Sequence, residues 1–376
     1  MSRISGQAGQ TAGELGGAAI LAPEMGAPTA SIWAIIRFVW RDLRLLILLG
    51  AVSIGLALCT HYIFDYPLPF AKILTGRTRK IIKFALLLGP LVLVGVVARR
   101  RWALPRVEGP SILERANWRK MFGNLGQNPL VAQVALAAAT TVLMAGLFGV
   151  SAMWKSSIPV LNPWHWDLAL LAVERTVHGG LLPQDVTRQL LGPSATQVLD
   201  RLYLIWFTVL ILFIVWQSFR PPSPSRTRTL LALLLTYTLL GNIGAVLLSS
   251  GGPVYFDRLT GHVGPFAEHA AYLAGIPGLH ATRIQIAIWD WLQTHTYVPF
   301  GSISAMPSMH VAATVVMALA SWERQRWLGV VGWLYVGVIL LGSVHLNWHY
   351  AIDGYVAILG TLAVWWLSAW VVRRYA

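Results

Sequence analysis

The chain reads as an all-α polytopic membrane protein, a helical bundle with about eight transmembrane helices. Three observations predict it. Of 376 residues, 56% are hydrophobic and only 12% charged, with a mean hydropathy of +0.60, a balance that a water-soluble domain cannot hide in its own interior. The apolar residues fall in runs of the length an α-helix needs to cross a hydrocarbon core, without the alternation of a membrane barrel. The Arg and Lys residues behind the formal net charge of +14 cluster between those runs, where the positive-inside rule puts them. The charge therefore sets topology and does not point to nucleic acid.

Taken in order, residues 1–32 are rich in Gly, Ala and Ser and lack the basic start and apolar core of a signal peptide, so they read as a disordered tail. Residues 33–125 read as accessory membrane segments, with spans at 44–64 and 82–98. The second is short, and "AKILTGRTRKIIK" before it is as basic as "ARRRWALPRV" after it, so charge does not decide whether it crosses or re-enters. A lone cysteine, Cys59, excludes an intrachain disulfide.

Residues 126–376 form the main membrane domain, with spans at 130–152, 199–218, 229–249, 308–322, 328–346 and 350–371. Basic clusters within 99–120, in "RPPSPSRTR", in "ERQR" and in the terminal "RRY" are separated by two spans each, which puts all four on the cytoplasmic side. The longer segments 153–198 and 250–307 carry mixed charge and face outward. Within them "WHWDLALLAVERTVHGG" and "ATRIQIAIWDWLQT" separate apolar from polar residues at helical spacing, as helices lying along an interface do.

This topology brings "AMPSMH", at the start of the 308–322 span, to the same outer face as "SVHLNWHYAIDGY". His310 and His349 are about forty residues apart, which one descending span, a short turn and one ascending span consume. His349 and Asp353 are four apart, so on a helix the carboxylate reaches one ring nitrogen and leaves the other as nucleophile or base. Pro307 suits a first helical position, which would leave the N–H groups of Ser308, Met309 and His310 pointing into the site as a phosphate trap, beside the Ser308 hydroxyl. Two other classes fit parts of the pattern. His345, His349 and Asp353 at successive intervals of four offer three ligands to a zinc-dependent lipid hydrolase, though no HExxH motif accompanies them. Buried His and Asp also occur in proton-coupled transporters, but these polar residues gather at one side and no inverted repeat is evident.

"PSMH" and "HYAID" resemble the second and third signature motifs of the type 2 phosphatidic acid phosphatase superfamily. Met309 and Ser343 stand where the typical phosphatase has Gly and Arg, and the Lys and Arg-Pro of its first motif are not seen. With its "HY" pair the chain is more similar to the inositolphosphotransferase branch, which contains fungal inositol phosphorylceramide synthase. "NPWHWDLALLAVER" resembles that branch's Trp-rich segment and "SSGGPVYFDR" its Gly/Pro-Tyr stretch, so the likeness covers about residues 130–370. The resemblance implies a six-helix catalytic core and a phospho-enzyme mechanism. In it His349 attacks a lipid-linked phosphorus, Asp353 supports it and His310 protonates the leaving group, with no metal or other cofactor. The candidates for substrate binding are Ser308, Asp167, Tyr350 and Arg258, the last as a local substitute for the family's missing basic residues; the resemblance further implies a lipid phosphate substrate with a lipid or alcohol acceptor. A phosphatase that releases inorganic phosphate is the alternative outcome. The expected setting is a bacterial inner membrane, with the site facing the periplasm or exterior; no pattern speaks to oligomeric state.

Overall fold

A computed structural model of the chain describes residues 32–64, 129–294 and 303–375, and among them every regular element is helical. The long helices are α1 (Ile32–Phe64), α2 (Pro129–Leu161), α5 (Pro193–Leu204) continued by α6 (Trp206–Phe219), α7 (Pro224–Leu247), α11 (Met309–Arg324), α12 (Arg326–His345) and α13 (Ala351–Tyr375). Between them lie α3 (Asp167–Val177), α4 (Pro183–Leu190), α8 (Phe256–Thr260), α9 (Ala267–Ala274) and α10 (His280–Thr294). Proline opens α2, α4, α5 and α7, the position where its missing N–H and fixed φ cost nothing. Ser223 caps α7 by accepting the Arg226 N–H at 3.2 Å.

The helices alternate in direction. Near the start of α2, the Gln133 side chain donates to the carbonyls of Phe219 and Arg220 at the end of α6, and just past its other end Asn162 donates to the Val246 carbonyl of α7. One end of the bundle thus gathers Arg220, Arg226, Arg228, Arg324, Arg326, Arg373 and Arg374, while the interfacial helices α3, α4 and α8–α10 cover the other. At the basic end the buried Arg226 pairs with Asp42 of α1 and donates to the Thr140 hydroxyl of α2 and the Gln217 carbonyl of α6. One guanidinium therefore ties four helices; buried, it needs this full set of partners to be tolerated.

The helix at the centre is α11. Val311–Ala318 is buried without interruption, enclosed by α6, α7, α12 and α13. Gly332 of α12 lets the pair approach so closely that a Cβ there would stand 2.7 Å from the Ala318 Cα. A helix wrapped in protein need not match the membrane's thickness, so the span expected at 308–322 is short. Among the described residues six helices are long and apolar enough to cross, whereas α11 has only 16 residues. The 82–98 segment, the basic cluster at 99–120 and the N-terminal tail lie outside the described residues. The segments expected along the interface are α3 and α10.

Candidate active site

Two elements carry the histidines. α12 ends at His345, the chain reverses through Leu346–Tyr350 with Asn347 at φ 64°, and α13 starts at Ala351. His345, His349 and Asp353 are therefore not on one helical face, contrary to the even spacing: His349 belongs to the turn and Asp353 to the first turn of α13. The contact expected between the last two is made all the same, with His349 Nδ1 3.2 Å from Asp353 Oδ2. The same carboxylate oxygen accepts the Tyr350 N–H at 3.1 Å. A carboxylate can only accept here, so Nδ1 carries the proton and Nε2 keeps its lone pair.

His310 stands in the first turn of α11, its ring centroid 6.4 Å from that of His349. Aromatic rings of α5 and α6 fix it: it stacks on Tyr203 at 4.8 Å and leans on Trp206 at 4.2 Å. α11 starts two residues later than Pro307 at the first position would require. Ser308 is the cap residue and spends its own N–H on the Asp353 carbonyl at 3.2 Å, so the orphan donors of this helix begin at Met309. That bond also joins the two histidine-bearing elements. The Ser308 hydroxyl and Asp353 Oδ1 are both buried without a hydrogen-bond partner among the described residues, which suits a polar guest at this point.

The segments at this end grip the turn that carries His349 by its carbonyls. His269 of α9 donates to the His345 carbonyl at 2.7 Å, Gln285 of α10 to that of Leu346 at 2.8 Å, the Val254 N–H to that of Asn347 at 3.1 Å, and Gln184 of α4 to that of His349 at 3.3 Å. The backbone carbonyl of Ser343 accepts the N–H groups of both Trp348 and His349 at 3.0 Å. The His345 ring is held between the hydroxyls of Thr187 and Thr196, at 3.0 and 2.9 Å. With both nitrogens engaged and the chain reversing after it, His345 braces the turn and does not join the other two as a ligand set.

The carboxylates of α3 support the site from beneath. Asp167 accepts the N–H groups of Gly251 and Gly252 at 2.8 and 2.9 Å and the Tyr350 hydroxyl at 3.0 Å. Burial pushes its carboxyl above the usual range, and the backbone donors pull it back. Burial and the neighbouring acids raise the Tyr350 phenol as well, so it stays a neutral donor. Gly252, at φ 83°, packs where a Cβ would lie 2.6 Å from the Trp348 carbonyl oxygen, so only glycine closes this turn against the catalytic one. Of the remaining residues singled out in the sequence, Arg258 lies apart, exposed, with its guanidinium 4.9 Å above Trp289.

Two residues were missed by sequence reasoning. Glu174, fully buried, accepts the Ala351 and Ile352 N–H groups at 2.8 and 3.1 Å and so caps α13 from another helix. Its spacing of seven from Asp167, on the buried face with Leu170 and Leu171, was the available signal. Glu174→Ala leaves two donors orphaned at a buried helix start, an expected loss of about 2–4 kcal/mol. Thermal unfolding of the purified protein should show a lowered midpoint; an unchanged one would mean that α13 is held some other way. The other residue is Lys155 of α2, half-buried and within Coulombic reach of His310. In the sequence it counts only among the mixed charges of 153–198.

A family model described as the PAP2 superfamily matches residues 168–368, more than half of the chain and inclusive of both histidines and Asp353. No curated protein and no solved structure matches.

Proposed function

The chain belongs to the PAP2 superfamily, and from that premise we propose that it is a membrane lipid phosphotransferase. It moves a phospho-headgroup, of the inositol-phosphate kind, from one lipid to another lipid or alcohol through a phosphohistidine. The observation that carries this reading is the His349–Asp353 couple facing His310 across 6.4 Å at the start of a buried helix.

In the first step the Nε2 lone pair of His349 forms a bond to phosphorus as the bond from phosphorus to the lipid oxygen breaks, and His310 gives that oxygen its proton. Asp353 holds the ring and offsets the positive charge that develops on it. In the second step the acceptor hydroxyl loses its proton to His310 and attacks phosphorus, releasing His349. The charge on the phosphoryl oxygens meets Lys155, the N–H groups at the start of α11 and the Ser308 hydroxyl. Arg258, Tyr350 and Asp167 then act outside this contact, the last two by fixing the loops around it. The PAP2 superfamily comprises phosphatases and phosphotransferases; transfer is favoured here because His349 is only 6% exposed beneath the interfacial helices, where a bound alcohol competes better than bulk water. The basic end faces the cytoplasm and the site opens on the exterior, the periplasm in a bacterial inner membrane.

The test uses protein in detergent with a chelator, offered phosphatidylinositol or phosphatidic acid, with and without ceramide. A new phospholipid that forms only with acceptor, without inorganic phosphate, is the expected result. Phosphate released from phosphatidic acid regardless of ceramide would overturn transfer in favour of hydrolysis.

A further inference from the structure

A cleft of about 420 Å³ opens at the basic end between α6 and the turn from α11 to α12, lined by Phe213, Trp216, Ser321, Arg324, Gln325 and Leu328. It is remote from the histidines, since α11 separates His310 from Arg324 by roughly 20 Å of helix. Its charge is concentrated and of one sign. Arg324 is exposed and has no acidic partner among the described residues. Arg220 donates to Gln217 at 2.9 Å and lies 5.5 Å from the Trp216 ring centroid. Burial, then the charges of Arg324 and Arg226, hold its guanidinium below the ordinary arginine value, with Glu323 opposing them. Glu323 is committed to Arg228 and Ser225, and Arg226 to Asp42.

One arginine, two polar side chains and an apolar wall thus line the cleft, with the second arginine, Arg220, beside its Trp216, at the end of a membrane-spanning bundle, the depth at which headgroups join acyl chains. We propose that this cleft binds an anionic phospholipid of the leaflet at the basic end. Arg220 and Arg324 straddle its phosphodiester, Ser321 and Gln325 donate to its oxygens, and an acyl chain follows Phe213 and Leu328. Charge complementarity selects this occupant: a zwitterionic headgroup brings its own ammonium against the arginines, and a free anion leaves the apolar wall uncovered.

The experiment titrates phosphatidylglycerol onto the detergent-purified full chain and counts bound lipid by native mass spectrometry. Wild type is expected to take up one phosphatidylglycerol in preference to phosphatidylcholine. R220Q/R324Q should weaken that uptake roughly tenfold or more, and Arg324→Gln alone, at an exposed side chain, should weaken it part of the way without affecting the fold. R373Q/R374Q removes the same charge from the same end and should leave it unchanged. Equal loss in both double variants would reduce the effect to general attraction and overturn the site, as would equal binding of the two lipids, wild-type affinity in R220Q/R324Q, or displacement of the lipid by excess inorganic phosphate.

Discussion

Replacing His349 by alanine should abolish turnover, with kcat/KM falling by about 10⁵-fold or more. Its ring stands 6.4 Å from that of His310, with Nδ1 held by Asp353 at 3.2 Å. Neither neighbour replaces it: Asp353 Oδ2 is engaged by that ring and by the Tyr350 N–H, and His345 is turned between two threonine hydroxyls. Wild type incubated with a phosphorus-labelled lipid and quenched in base should carry acid-labile label, and the variant none. Retained activity in His349→Ala would sink the phosphohistidine. Because the backbone bonds of His349 to Ser343 and Gln184 remain, the variant should stay folded, which a wild-type thermal midpoint would verify.

His310→Ala should cost about 10²–10⁴-fold with a natural lipid, whose alkoxide needs a proton to leave. The same variant should lose far less against a nitrophenyl phosphodiester, whose leaving group departs as an anion. The ratio of the two losses is the diagnostic, because damage to the aromatic cage of Tyr203 and Trp206 would slow both substrates alike. Equal losses would remove His310 from the acid role and leave it as packing. His310→Gln keeps most of the volume without the acid, and should reproduce the same ratio.

The helical class, the alternation of spans and the pairing of the two motifs at one end were legible because each depends on local pattern: apolar run length, basic turns and a spacing of about forty residues. What escaped depends on long-range partners. The identical intervals among His345, His349 and Asp353 suggested one helix, yet the reversal at Asn347 is stabilised by four hydrogen bonds from distant segments, none of which periodicity encodes. The shortness of α11 likewise follows from its being enclosed, a property of its neighbours. Arg226 looked like one more topological charge in "RPPSPSRTR" and is instead buried against Asp42. Lys155 was visible as a residue but meaningful only through its proximity to His310.

The carboxylates of α3 have a bearing on biogenesis. Asp167 waits for donors 84 and 85 residues downstream and for Tyr350, 183 residues on; Glu174 waits for Ala351 and Ile352, 177 and 178 residues on. While the ribosome is still adding those segments, both acids remain hydrated at the membrane surface, since an unpaired buried carboxylate is too costly to form early. The turn that carries His349 therefore gains these contacts only once residues 350–352 have been made, so the two acids are the first of its partners to be synthesised and the last to be satisfied.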